Sequence, residues 1–367
     1  MRLKRWLTGI AVVTLGLLGT LYWLTRPPEN LTVVSWGDAY QQAQTVAFFH
    51  PFVDRTGINL DGAIYGGGLA EIRTQVEAGA VDWDVVDFDL AEAALACRKG
   101  LLESIDPASL PPGADGTPAN DDFVAGAIGP CWVGTLVYSQ VVMVAPGVFA
   151  EAPQAAADFF DVARFPGMRA LRDGGPEFNL PFALLADGVA AVEVYRLLET
   201  EEGITRAFAK LDSISESILW WRRPNEAVDL ITSGQAVMTT ALNGRAFDAA
   251  RADSAIGIIW DGQLYSLDVF GIPRGTPQLE RAREFIAFAT MTEPLAGMAS
   301  RVPYGAARAS AAATVGPNPM TGEEVRPLLP TSPENFGNAL LNDPDWWADH
   351  GAPLRARWDT WRAGQRP

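Results

Sequence analysis

The sequence predicts an α/β fold in which a mostly parallel sheet is covered by helices. Short β-branched, apolar runs alternate with stretches of helical spacing through the first hundred residues. Glycines stop the helical stretches at Gly57 and Gly100. The 367 residues, 48% of them hydrophobic, supply enough core for two domains.

The elements follow in order. Residues 31–36 (LTVVSW) read as a buried strand, ended by Gly37 and Asp38. Residues 40–56 read as a helix, with Val46, Phe49 and Val53 at helical spacing. Residues 58–65 form a second expected strand, and 69–78 a helix. Between them, Gly66, Gly67 and Gly68 lack the lysine–Ser/Thr pair of a Walker loop and the spaced glycines of a dinucleotide fold. They read as a turn into the helix. A third strand is expected at 83–88 and a helix at 91–99. Residues 106–122, rich in Pro, Gly, Ala and Asp, read as a surface loop. The β-like run 133–144 is long for one strand and has the length to pass from one domain to the other. Helical stretches follow at 155–161, 182–185, 191–198 and 202–211. Strands are expected at 236–242, 255–260 and 267–272, then an amphipathic helix at 279–290.

The N-terminus carries Arg2, Lys4 and Arg5 before an uncharged run from Trp6 to Thr25, which Arg26, Pro27 and Pro28 interrupt. A basic start and an apolar run read as an export signal, so residues 1–30 are assigned to a signal or membrane anchor. The run is long enough to span a bilayer and no small-x-small site precedes the Pro pair, so cleavage and anchoring both stay open. Export makes a disulfide between the two cysteines, Cys97 and Cys131, the expected state, with two buried thiols as the alternative.

The net charge is −16. Residues 1–30 hold four basic side chains and one acid, which leaves 24 basic and 43 acidic residues and a body of −19. Such a body repels phosphate backbones and excludes nucleic acid as a natural partner. Two distant histidines, His50 and His350, and two cysteines supply no metal site. No G-x-S-x-G elbow or recognisable His-based triad occurs, so the chain reads as a binding protein rather than an enzyme, and no cofactor is expected. What stands out is aromatics beside acids. The chain has 12 Trp, and Trp36 precedes Gly37 and Asp38. Asp87 and Asp89 end the third strand, and Trp220 and Trp221 form a pair. Tyr265 and Asp268 follow Trp260 and Asp261, and Trp346 and Trp347 lie near the end. Carboxylates hold ammonium groups and aromatic faces attract cations, so these residues could box an alkyl-amine.

The order of several segments resembles the spermidine/putrescine-type periplasmic binding proteins of ABC importers. The segments are Ser35-Trp36-Gly37, Trp83-Asp84-Val85-Val86, residues 100–106 (GLLESID) and Asn243-Gly244-Arg245. Asp268 before Ile272-Pro273, residues 285–289 (FIAFA), Val302-Pro303-Tyr304-Gly305 and Trp346-Trp347 complete the set. The resemblance spans about residues 31–363. It implies a type II-like fold of two α/β lobes joined by a hinge, with the ligand trapped when they close. Lobe 1 would hold 31–138 and about 268–304, and lobe 2 about 139–267 and 305–367. It also implies a monomer that delivers a small amine to an inner-membrane ABC permease.

By the same resemblance, Trp36 matches an aromatic that packs on a ligand's methylene chain and Asp268 a carboxylate that binds its amine. Tyr304 and Trp347 match wall residues. Asp89 stands where the family often has a small hydroxyl residue. With Asp38, Trp220 and Arg245, these are the candidate ligand-binding residues. The sequence departs from the family at Leu242, where polyamine receptors commonly carry Trp, and at Arg245, near where some carry an acid. A guanidinium repels a diamine and grips a carboxylate. An outward Arg245 leaves a polyamine as the expected ligand. An inward one favours an ω-amino acid such as γ-aminobutyrate. An exported hydrolase on the same scaffold is the remaining alternative.

Overall fold

A computed structural model describes residues 30–253 and 255–365. The export or anchor segment expected at 1–30 lies outside them, save Asn30. Among the described residues no helix is long and apolar enough to cross a membrane.

Ten strands among these residues form one sheet. In chain order they are β1 Leu31–Ser35, β2 Leu60–Ile64, β3 Val85–Asp89, β4 Trp132–Val144 and β5 Arg169–Arg172. The others are β6 Ile218–Trp221, β7 Met238–Leu242, β8 Gly257–Gly271, β9 Gly305–Ala306 and β10 Leu340–Leu341. The spatial order is β2-β1-β3-β8-β4-β7-β5-β6, with β9 on β4 and β10 on β8. β2-β1-β3 and β7-β5-β6 pair in parallel, whereas β8 runs antiparallel to β3, β4 runs antiparallel to β7 and β9, and β4 and β8 are antiparallel to each other; β10 alone pairs with β8 in parallel.

The two long strands make the molecule two-lobed. One end of β8, Asp268–Gly271, pairs with β3, while the far end of β4, Gln140–Val144, pairs with β7. Each lobe is therefore a five-stranded sheet that shares β4 and β8 with the other. Lobe 1 has one apolar cluster, which includes Val34, Phe48, Phe88, Phe270 and Phe285. Lobe 2 has two, because successive side chains of a strand point to opposite faces. Val142, Val144 and Leu171 enter one cluster; Val141, Met143 and Ala170 enter the other.

The structure differs from the sequence reading in several places that bear on the site. The strands expected at 255–260 and 267–272 are one continuous strand, β8. Gly262 (φ 70°) absorbs the irregularity that the sequence suggests is a break, beside a register shift opposite Gln140–Val142. β5 (RALR) and β6 are four residues each, too short for a period to register. The end of the expected surface loop is pinned inward. Buried Asp122 accepts from the Ser310 amide (2.8 Å) and hydroxyl (2.7 Å) and sits 3.5 Å from the buried Arg308 guanidinium. Finally, Ala306, Ala311, Val315 and Leu329, expected in lobe 2, pack in the lobe 1 cluster.

A disulfide staples lobe 1 internally, and the C-terminal helix ties the two lobes together. Cys97 and Cys131 form a disulfide (Cα–Cα 5.8 Å) that fixes the end of helix Leu90–Arg98 to the start of β4. The C-terminal helix Pro344–Gly364, capped by Asp343, packs on helix Leu90–Arg98 of lobe 1 and on Pro176–Ala186 of lobe 2.

Candidate functional site

Parallel strands β1, β3, β5, β6 and β7 all point their carboxyl ends at the gap between the lobes, the position where open α/β sheets bind ligands. A cavity of about 560 Å³ lies there. Asp89, Leu95 and Arg98 line it from lobe 1, Tyr138 and Ser266 from the crossing strands, and Arg172, Glu177, Phe178, Leu242, Trp347 and Arg355 from lobe 2.

The lobe 1 wall is acidic. Asp89 of β3 and Asp268 of β8 are directly paired residues of neighbouring antiparallel strands. Asp89 caps helix Leu90–Arg98 by accepting from the Ala91 amide (2.9 Å), and its other oxygen accepts from the Tyr138 hydroxyl. Tyr40 donates to Asp268 (3.1 Å). Buried Asp87 accepts from Gln44 (2.6 Å) and Ser35 (3.4 Å), and its second oxygen is buried without a partner. Burial pushes the Asp87 carboxyl up to about 7, against these hydrogen bonds. Burial, then the charges of Asp87 and Asp89, hold Asp268 well above the carboxylate range. Rings enclose the acids: Trp36 lies 5.3 Å from Tyr65, and Tyr304 lies 6.2 Å from Tyr40. Carboxylates short of positive charge, beside π faces, suit an ammonium group, whose charge favours their ionised form.

The lobe 2 wall offers the opposite charge. Arg355 pairs with Glu177 (2.6 Å), and Arg98 pairs with Asp345 across the lobes. Arg172, at the end of β5, has no carboxylate within ion-pair distance among the described residues. Its guanidinium lies 4.7 Å from the Phe178 ring centre and 5.8 Å from that of Trp221. These rings hold the fork in place without consuming its donors. Burial lowers the Arg172 pKa, and the nearby Tyr138, Glu177 and Asp89 oppose that shift.

The candidate residues divide. Asp89 and Trp347 line the cavity, while Trp36, Asp268 and Tyr304 belong to the adjoining aromatic and acidic cluster of the lobe 1 wall. Trp347 is buried (3% exposed) against Trp346, with Arg355 6.0 Å from its ring. Asp38 is exposed, with φ 48°, a left-handed conformation that Asp tolerates where β1 turns into its helix. Trp220 does not line the cavity. It packs on Trp358 and Trp361, with Arg362 4.2 Å above its ring. Arg245 does not line it either: its side chain is 51% exposed, 3.9 Å from Asp248. Arg222 and Arg223 pair with Asp173 and Glu226. Leu242, the departure from the polyamine pattern, does line the cavity. Sequence reasoning missed Arg172, Tyr40 and Tyr138. Arg172 ends a strand too short to recognise, and the tyrosines acquire meaning only when β8 brings Asp268 beside β3.

The profile of bacterial extracellular solute-binding proteins matches residues 47–321. The chain belongs to that family. A gamma-aminobutyric acid-binding protein of Pseudomonas aeruginosa is 38% identical over 335 residues, 91% of each chain. The structure of a GABA receptor is similar at 29% identity and a TM-score of 0.70, over 92% of this chain and 99% of that one. An ABC transporter substrate-binding protein from Bradyrhizobium japonicum is 30% identical with a TM-score of 0.73, over 90% and 99%. The spermidine/putrescine-binding protein of Streptococcus pneumoniae, 14% identical with a TM-score of 0.67 over 91% and 99%, shares the fold of this solute-binding protein.

Proposed function

We propose that this solute-binding protein is the periplasmic substrate-binding component of an ABC importer, and that it captures a small ω-amino acid of the γ-aminobutyrate class. The observation that carries the reading is the pair of uncompensated opposite charges in one cavity. Asp89 has no cation partner and Arg172 no anion partner among the described residues. A zwitterion satisfies both. Its ammonium group meets Asp89 and Asp268 between the aromatic rings, and its carboxylate takes the Arg172 fork bidentately. The two relatives whose names carry γ-aminobutyrate support the same class.

A polyamine draws support from the acids of the lobe 1 wall and from Glu177. It must, however, place a second cation beside Arg172, which disfavours it. The sequence expectation is a polyamine, with an inward Arg245 as the condition for an ω-amino acid; Arg245 lies outside the cavity lining, and Arg172 supplies the carboxylate partner in its place. Calorimetry with γ-aminobutyrate, putrescine and spermidine tests this. Heat with γ-aminobutyrate and none with the polyamines is expected. The reverse pattern overturns the zwitterion, and no heat with any of the three removes the amine class.

A further inference from the structure

Three carboxylates converge at the lobe 1 wall, and the groups packed around them are short of positive charge. From the helix after β1 come Tyr40 and Gln44; from the end of β2, Tyr65; from β3, Asp87 and Asp89. Glu92 comes from the following helix, Tyr138 from β4, Asp268 from β8 and Tyr304 from the loop before β9. The nearest cations act at the edges: Arg172 on the side of Asp89 and Arg245 on the side of Tyr304. Neither forms an ion pair with the acids among the described residues.

Asp87 sits behind this wall, 0% exposed. The Tyr40 hydroxyl donates to Asp268 (3.1 Å), and the charge of Asp87 also acts on it, so one hydroxyl faces two acids. It has a single proton to donate and cannot satisfy both as anions. Gln44 gives its amide to one oxygen of Asp87, while the other oxygen of Asp87 and the Gln44 carbonyl oxygen are buried without partners. A buried anion with so few donors is costly, and a proton on the acid relieves that cost.

We infer that Asp87 is a positioning residue which makes ligand capture proton-coupled: the free protein holds one proton between Asp87 and Asp268, and the arriving ammonium group expels it to solvent. The charge balances, since one positive charge enters as the ammonium group and one leaves as the proton. The ligand keeps all its N–H bonds and Asp87 acts through Tyr40 and Asp268 without touching it. The raised carboxyls of both acids agree with this account. The inference rests on the amine reading above. It adds that affinity is set by pH as well as by concentration.

The test is calorimetry of the full chain with γ-aminobutyrate in two buffers of different ionisation heat. At about pH 6 the binding heat should differ between buffers by an amount equal to release of most of one proton, fading at about pH 9. Affinity should rise up to about tenfold per pH unit below pH ~7 and then level off. Asp87→Asn should bind γ-aminobutyrate with little proton release and a flattened pH profile, and Asp87→Glu should restore part of the release. Tyr40→Phe, which keeps both acids but removes the hydroxyl that donates to Asp268, should still release a proton, with the pH at which release fades moved upward. Binding with no buffer dependence overturns the proton coupling and leaves the amine reading standing. Unchanged release in Asp87→Asn overturns the role of Asp87. Failure of wild type to bind any of the amines removes the amine reading and this inference with it.

Discussion

Asp89 and Asp268 stand opposite each other on paired residues of β3 and β8, two like charges on neighbouring strands with no basic residue between them. Like charges at directly opposed sheet positions destabilise the sheet. An ammonium guest between them turns that repulsion into attraction. For Asp268→Ala the expected loss of γ-aminobutyrate affinity is about 2–4 kcal/mol, because a buried ammonium group loses one of its two anions. Calorimetry reads it, and an unchanged affinity means Asp268 does not hold the amine.

Arg172 and Arg245 separate the two accounts of the carboxylate. Arg172→Ala should weaken γ-aminobutyrate by about 2–4 kcal/mol. Putrescine should bind the variant no more weakly than wild type, since a repelling cation is gone. Arg245→Ala, at a half-exposed site loosely paired with Asp248, should change affinity by less than about 0.5 kcal/mol. A large effect at Arg245 with none at Arg172 would return the carboxylate to the position the sequence suggested.

The acid cluster predicts how stability depends on pH. Burial raises the folded-state pKa of both Asp87 and Asp268 above the unfolded values. Their contribution is therefore complete below the unfolded carboxylate range near pH ~4 and is lost as pH rises through the folded values, about 7 for Asp87. The thermal midpoint of the free protein should fall between about pH 5 and pH 8, and Asp87→Asn should flatten the fall. A wild-type midpoint that rises over this window contradicts the prediction.

The disulfide closes a separation of 34 residues between Cys97 and Cys131. Loop-closure entropy gives about 3–4 kcal/mol for such a span. Cys97→Ser with Cys131→Ser should lower the urea midpoint accordingly, while ligand affinity at the saved fold changes little. Equal denaturation curves for the two forms would show that the bond adds no stability.

The ion pair between Arg98 and Asp345 bridges the lobes at the cavity mouth, with both side chains about half exposed (43% and 56%). Solvent screens it, so a double-mutant cycle on ligand affinity should return less than about 1 kcal/mol, shrinking further at high salt. A coupling of several kcal/mol would make it a dominant clamp.

The sequence by itself determined the local elements whose period and punctuation are strong: β1, β3, β4 and the helices that follow the first three strands. Local signals mark Trp36 and Asp89 as an aromatic and an acid at strand ends, while the roles of Trp36 and Asp268 toward a ligand come from the family resemblance. The residues that complete the site are not marked in this way. Arg172 lies on a four-residue strand, and its meaning comes from Phe178 and Trp221 holding it opposite Asp89, contacts between segments tens of residues apart. Trp220 and Arg245 lie outside the cavity for the matching reason: a side chain's direction depends on its surroundings, and here Trp220 packs on the C-terminal helix while Arg245 stays half-exposed near Asp248. Pairing of β3 with β8, which joins Asp89 to Asp268 across 179 residues, is what makes three scattered aspartates one electrostatic object. Local sequence fixes backbone periodicity, whereas convergence of charge depends on long-range strand pairing, which only the tertiary structure decides.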